Sequence, residues 1–87
     1  MIEVYFSEQF LKKLDRLERD VKEEVYAKTE KFRHLSNHPM LKVHKLHGKM
    51  KDKYSFSVSY KIRITFKYIT KNSVVFLTVG DNNIYND

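Results

Sequence analysis

Residues 2–6 alternate apolar and polar side chains, with Ile2, Val4 and Phe6 on one side and Glu3 and Tyr5 on the other. A period of two predicts a half-buried strand. After Ser7 the period changes. Phe10, Leu14, Leu17 and Val21 recur at three- and four-residue spacing with charged residues between them, which predicts an amphipathic helix capped by Ser7. Asp20 followed by Glu23 has capping-box spacing, and Val21, Val25, Phe32 and Leu35 extend the apolar stripe. The helical stretch thus reads as a hairpin of two helices or as one bent helix. Residues 36–39 are expected to end it, because Pro39 cannot continue a helix and pushes His38 out of the α region.

A basic connection over residues 40–53 leads to a second alternating stretch. Tyr54, Phe56 and Val58 oppose Ser55 and Ser57; then Ile62, Ile64, Phe66 and Tyr68 oppose Arg63, Thr65 and Lys67. Two strands joined by a turn near residues 59–61 are predicted. Lys71 and Asn72 form a further turn, and residues 74–79 are apolar on both faces, as expected of a strand inside a sheet. The order β-α-α-β-β-β describes one α+β domain over residues 1–87. Its two helices, both from the N-terminal half, cover one face of a small, mainly antiparallel sheet and leave the other face open or free to meet a partner. Ser55, Ser57, Arg63 and Lys67 are expected side by side on that second face, as a cradle for phosphate.

Composition narrows the class. A chain of 87 residues supports one modest core. With 41% hydrophobic residues, 14% aromatics, two Gly and one Pro, it reads as a folded domain and not as a disordered tail. The lack of cysteine excludes disulfides, thiolate nucleophiles and cysteine-based zinc sites, and fits a reducing compartment, so a cytoplasmic location is the expectation. No leader pattern and no apolar run of membrane-spanning length is present, and no membrane association is expected. His34 and His38 have i, i+4 spacing, but Pro39 interrupts the helix there and no acidic third ligand is evident, so no metal and no other cofactor is expected.

Charge is distributed unevenly. Residues 1–41 carry eight basic and eight acidic side chains, whereas residues 42–71 carry nine Lys or Arg against the single acid Asp52. The net charge of +6 is therefore concentrated in thirty residues. Such a segment attracts polyanions, either nucleic acid or an acidic protein. Within it, Arg63 sits in mid-strand between apolar residues facing the other way, and its planar fork suits a phosphate.

The block KLHGKMKDKYSFSVSYKIRITFKY and the ending VGDNNIY, together with the element order, resemble the RelE/ParE superfamily of toxins from bacterial type II toxin–antitoxin systems. A basic K-L-x-G segment leading to a Tyr corresponds to residues 45–54, an arginine-bearing strand to residues 60–68, and a final strand ending in V-G and a later Tyr to residues 79–85. The resemblance implies a toxin that cleaves mRNA on the ribosome without a metal and is neutralised by a small, acidic, partly disordered antitoxin. Other members inhibit DNA gyrase instead, and some chains of this fold need only bind their antitoxin, so the fold leaves those alternatives open.

Metal-independent cleavage needs a base for the 2′-hydroxyl, cations for the pentacoordinate phosphate and an acid for the leaving 5′-oxygen. The resemblance implies that Arg63 contacts the phosphate and that Tyr85 acts near the leaving group or stacks on a base. Lys49, Lys51 and Lys53 lie where relatives place lysines that act on the 2′-hydroxyl or the phosphate, while Lys45 and Lys67 add backbone attraction. His44 and His47 occupy the connection in which some ribonuclease members use histidines. Asn82 departs from the family pattern, which places a proton donor or cation after the last strand. Asparagine can hydrogen-bond RNA but cannot exchange a proton near neutral pH, so either the acid is His44, His47 or Tyr85, or cleavage is weak or absent.

Overall fold

The structure, a computed structural model, describes residues 1–81; Asn82 and Tyr85 lie outside the described residues. Strand β1 (Glu3–Phe6) leads through Ser7 into helix α1 (Glu8–Asp15), which is followed by α2 (Arg19–Phe32), a short α3 (His38–Leu41), β2 (His44–Lys45), β3 (Tyr54–Ser57), β4 (Arg63–Thr70) and β5 (Ser73–Gly80). The five strands form one sheet in the order β1-β5-β4-β3-β2, parallel only between β1 and β5. The expected α+β architecture is therefore present, with β2 and α3 added to the predicted elements. The apolar run of β5 has its expected place inside the sheet, between β1 and β4.

Ser7 caps α1: its Oγ accepts from the Phe10 N–H at 3.0 Å and donates to the Leu77 carbonyl at 3.0 Å. One hydroxyl thus satisfies an orphan helix donor and ties the helix start to β5. The second helix starts differently from its capping-box reading. Glu18 is the N-cap, without a side-chain cap bond, and Asp20 lies inside the first turn, where its negative charge faces the helix N-terminus. The two helices form a hairpin. α2 ends at Phe32, so Leu35 falls outside the stripe and is exposed. His38 has helical dihedrals (φ −61, ψ −40) because α3 begins there with Pro39 in its first turn, a position that needs no amide donor. α3 ends at Lys42 in the left-handed conformation, which turns the chain into β2.

The core is a cluster of phenylalanines between the helices and the sheet. Phe32 is fully buried, stacks on Phe56 at 4.7 Å between ring centroids, and meets Phe66 and Phe76 edge-on at 4.9 and 5.4 Å. Phe10 joins from α1 by packing edge-on against Phe76. The inward set Phe56, Ile64 and Phe66 leaves Ser55, Ser57, Arg63, Thr65 and Lys67 on the opposite face, as the alternation predicts. A register shift complicates β5: Thr65 pairs with Thr78 and Phe66 with Phe76, so Leu77 is an extra residue. This bulge allows Phe76 and Val79 both to face the helices while Thr78 joins Thr65 on the far side.

The far face is partly covered. Ser55 and Thr65 are buried there, and the β2–β3 loop, residues 46–53, lies against it through Met50 and Lys53. The Leu46 N–H bonds the Lys53 carbonyl across the neck of the loop, and Gly48, with φ +69, makes the turn into the short 3-10 segment Gly48–Met50. The glycine of the K-L-x-G segment therefore has a backbone reason to be there.

Truncating Phe32 to Ala is expected to cost about 3–5 kcal/mol, because one ring fills the space among three strands; denaturant unfolding of the variant measures it. Burial, and secondarily the neighbouring Tyr54, raise the Tyr68 phenol above its ordinary value. A raised folded-state pKa favours the protonated native state, so this contribution is complete below about pH 10 and is lost as pH rises through the folded pKa. Tyr68→Phe should show a shallower fall in stability on the alkaline side, read from thermal unfolding across that range.

Candidate functional site

Arg63 opens β4 opposite Ser57 and Gly80. Its guanidinium donates to Ser57 Oγ at 2.9 Å and to the Ser59 carbonyl at 3.2 Å. Both bonds use Nη1, so the fork is anchored at one nitrogen, and Nε and Nη2 bond none of the described residues. Ser59 shapes the turn as well: its Oγ accepts from the Ile62 N–H at 3.3 Å, which closes the β3–β4 connection against Arg63.

Around that guanidinium the fold gathers cations that are distant in sequence. A cleft of about 280 Å³ is lined by Arg63, Ser57, Ser59 and Tyr60 from the strands and their turn, by Lys28 and Lys31 from α2, and by Met40 and Lys42 from α3 and its cap. No carboxylate lines it, and none of its four cations is in a salt bridge among the described residues. Tyr60 is 91% exposed at the rim, an aromatic face open to stacking. Four unneutralised cations and one free aromatic suit a single-stranded polyanion whose bases stack while its phosphates pair with Lys and Arg. No imidazole among the described residues lines the cleft either.

The other predicted residues are dispersed. Lys67 is exposed on the same face of β4, opposite Val75, and His44 lies opposite Ser55 on that face with Nδ1 2.8 Å from the Lys42 carbonyl. Lys45 is opposite Tyr54 and so belongs to the helix-covered side, away from Arg63. His47, Lys49 and Lys51 are exposed on the β2–β3 loop. Lys53 is half-buried and lines a different cavity, with Thr65 and Thr78. Arg63 and Lys53 thus line separate cavities, and Lys49 and Lys51 line neither. Among the described residues no group of three His, Asp or Glu side chains could hold a metal ion; His38 Nε2 is 2.7 Å from the Phe32 carbonyl and its ring stacks on Phe32.

Sequence reasoning missed Lys28, Lys31 and Tyr60. The two lysines belong to the half whose charges balance, and their only signal is i, i+3 spacing on one helix face. Tyr60 lies in the turn expected at residues 59–61, and its sequence context gives no sign that this turn rims a cleft lined by α2 and α3.

No protein-family model matches the sequence, and no curated protein matches it. Solved structures do match. A chain of the RelBE2 toxin–antitoxin complex from Mycobacterium tuberculosis superposes with TM-score 0.75 at 20% identity, covering 93% of this chain and 98% of that one. A chain of the intact Escherichia coli RelBE complex gives 0.70 at 24% identity, with coverages of 93% and 96%. The YoeB/ParE toxin from Agrobacterium tumefaciens gives 0.75 at 9% identity, with coverages of 93% and 99%. At these identities the shared property is the fold, over nearly the whole length of both chains.

The cleft makes a salt-dependent prediction. With single-stranded oligoribonucleotide as probe, Lys28→Ala combined with Lys31→Ala should weaken binding and flatten the log affinity–log salt slope by about 1.4, two phosphate contacts at about 0.7 each. Fluorescence anisotropy across a salt series reads the slope directly.

Proposed function

We propose that this chain, which has the fold of the RelE and YoeB/ParE toxins, is the toxin of a bacterial toxin–antitoxin pair and acts as a metal-independent endoribonuclease on mRNA bound to the ribosome. The observation that carries this reading is Arg63, anchored by Ser57 and Ser59 in a cleft of cations that no acid among the described residues neutralises. In that position its free guanidinium nitrogens can meet the developing charge of a phosphorane while Lys28, Lys31 and Lys42 hold flanking phosphates and Tyr60 stacks a base. The proton-transfer groups would be His47, Lys51 or Lys53, which lie on the loop outside the cleft, together with Tyr85. The same positive surface suits an acidic antitoxin, which would occupy it and keep RNA out.

A second reading is an inhibitor that does not cleave RNA, of the gyrase-poisoning type. The specific observation in its favour is that, among the described residues, neither an imidazole nor a carboxylate lines the Arg63 cleft. Without an acid–base set beside the phosphate, binding alone is the chemistry that cleft performs.

Induction in a translation system followed by mapping of mRNA 5′ ends separates the two. New 5′ ends are expected with the wild-type chain. Arg63→Ala should reduce them about 100-fold or more, the scale of losing one transition-state donor, and Tyr85→Phe should reduce them if its hydroxyl transfers the proton. Intact mRNA together with loss of DNA supercoiling would overturn the nuclease reading in favour of the second.

A further inference from the structure

Two residues along β4 from Arg63, the cross-strand pair Thr65 and Thr78 lines a second cavity, of about 290 Å³. Its other walls are Gln9 and Lys13 from α1, Met50 and Lys53 from the β2–β3 loop, and Leu77 at the bulge. Thr65 is 99% buried, being 1% exposed, and the Oγ1 atoms of both threonines are buried without a hydrogen-bond partner. A buried hydroxyl left unpaired is costly, and two of them on a cross-strand pair of residues that line one cavity are polar groups that a ligand seated there would satisfy.

The surroundings specify what that partner must be. Among the described residues Lys53 has no ion-pair partner and no carboxylate lines the cavity, while Gln9 contributes an amide. Lys13 already has a partner, and Lys53 is the cation left to meet a ligand. Two hydroxyls and an ammonium are complementary to a group rich in acceptor oxygens and carrying negative charge. The volume exceeds that of a bare phosphate and leaves room for part of the sugar that bears it.

We infer that this cavity binds the phosphate of a phosphate ester, with Thr65 and Thr78 donating hydroxyl hydrogen bonds to its oxygens and Lys53 supplying the countercharge. Residues i and i+2 of a strand are about 6.6 Å apart on one face, so a strand of RNA crossing Arg63 would present its next phosphate to the threonine pair. That identity of the ligand rests on the function proposed above; the phosphate chemistry of the cavity does not.

The test uses amide NMR of the full chain, titrated in separate arms with inorganic phosphate and with a short single-stranded oligoribonucleotide, on wild type, Thr65→Val, Thr78→Val and Lys53→Met. Valine keeps the shape of threonine, so the variants should fold, and without ligand the threonine variants should melt no lower than wild type. Shifts at residues 53, 65 and 78 on adding phosphate are expected, with affinity reduced roughly tenfold or more by either valine, the scale of one charge-assisted hydrogen bond. If the oligoribonucleotide moves these residues together with Arg63, the phosphate belongs to a polynucleotide. If only inorganic phosphate moves them, the cavity takes a free phosphate. The absence of shifts in both arms, shifts confined to the Arg63 cleft, or unchanged affinity in the valine variants would overturn the inference. Phosphate binding without mRNA cleavage leaves the cavity standing and removes the nuclease reading, so the two failures are distinguishable.

Discussion

Phe32, the last residue of α2, meets the rings of Phe56, Phe66 and Phe76 from three neighbouring strands, and the rest of the molecule depends on that contact. It pins the helix hairpin to the centre of the sheet and sets which face of each strand is apolar. Because strand side chains alternate, burying Phe56, Ile64 and Phe66 commits Ser57, Arg63 and Thr65 to the other face. A one-residue slip would drive a guanidinium into the phenylalanine core. The position of the candidate site is in this sense a consequence of core packing on the opposite side of the sheet.

That second face is neither a bare sheet nor a closed core. The β2–β3 loop and the Gln9 and Lys13 side of α1 border the cavity over Thr65, and both Ser55 and Thr65 are buried on this face. What stays accessible is a cleft where β3, β4, α2 and α3 meet around Arg63, and a cavity between α1 and the loop over the threonine pair. Among the described residues both are lined by cations without acids. Electrostatics gives them one preference, for anions, while their different polar groups distinguish a site for stacking and phosphate contact from a site for a hydrogen-bonded oxyanion.

Much of this was legible from period and charge. The alternation of residues 54–58 and 62–68 identified the strands and the face of Arg63, because a period of two leaves no freedom about which side a residue takes. The thirty-residue basic segment marked the polyanion surface. The helix ends were less legible: Asp20 with Glu23 has capping-box spacing, yet Glu18 is the cap, and Pro39, which reads as a terminator, sits in the first turn of a new helix. Local signals of this kind say that a boundary is near, and tertiary packing decides which of two neighbouring residues takes it. The roles given to Asn82 and Tyr85 rest on the sequence and its resemblance alone.

The sequence by itself determined the α+β class, the interior position of β5, the inward and outward sets of β3 and β4, and the sign of the charge. These follow from periodicity and composition, which are properties of contiguous residues. Only the tertiary structure decided that Lys28 and Lys31, from a charge-balanced helix, stand beside Arg63, that Lys45 faces away from it, and that a bulge at Leu77 turns Thr78 toward Thr65. Each of those outcomes depends on how one element is registered against another, and a one-residue shift in pairing, which no local pattern records, reverses it.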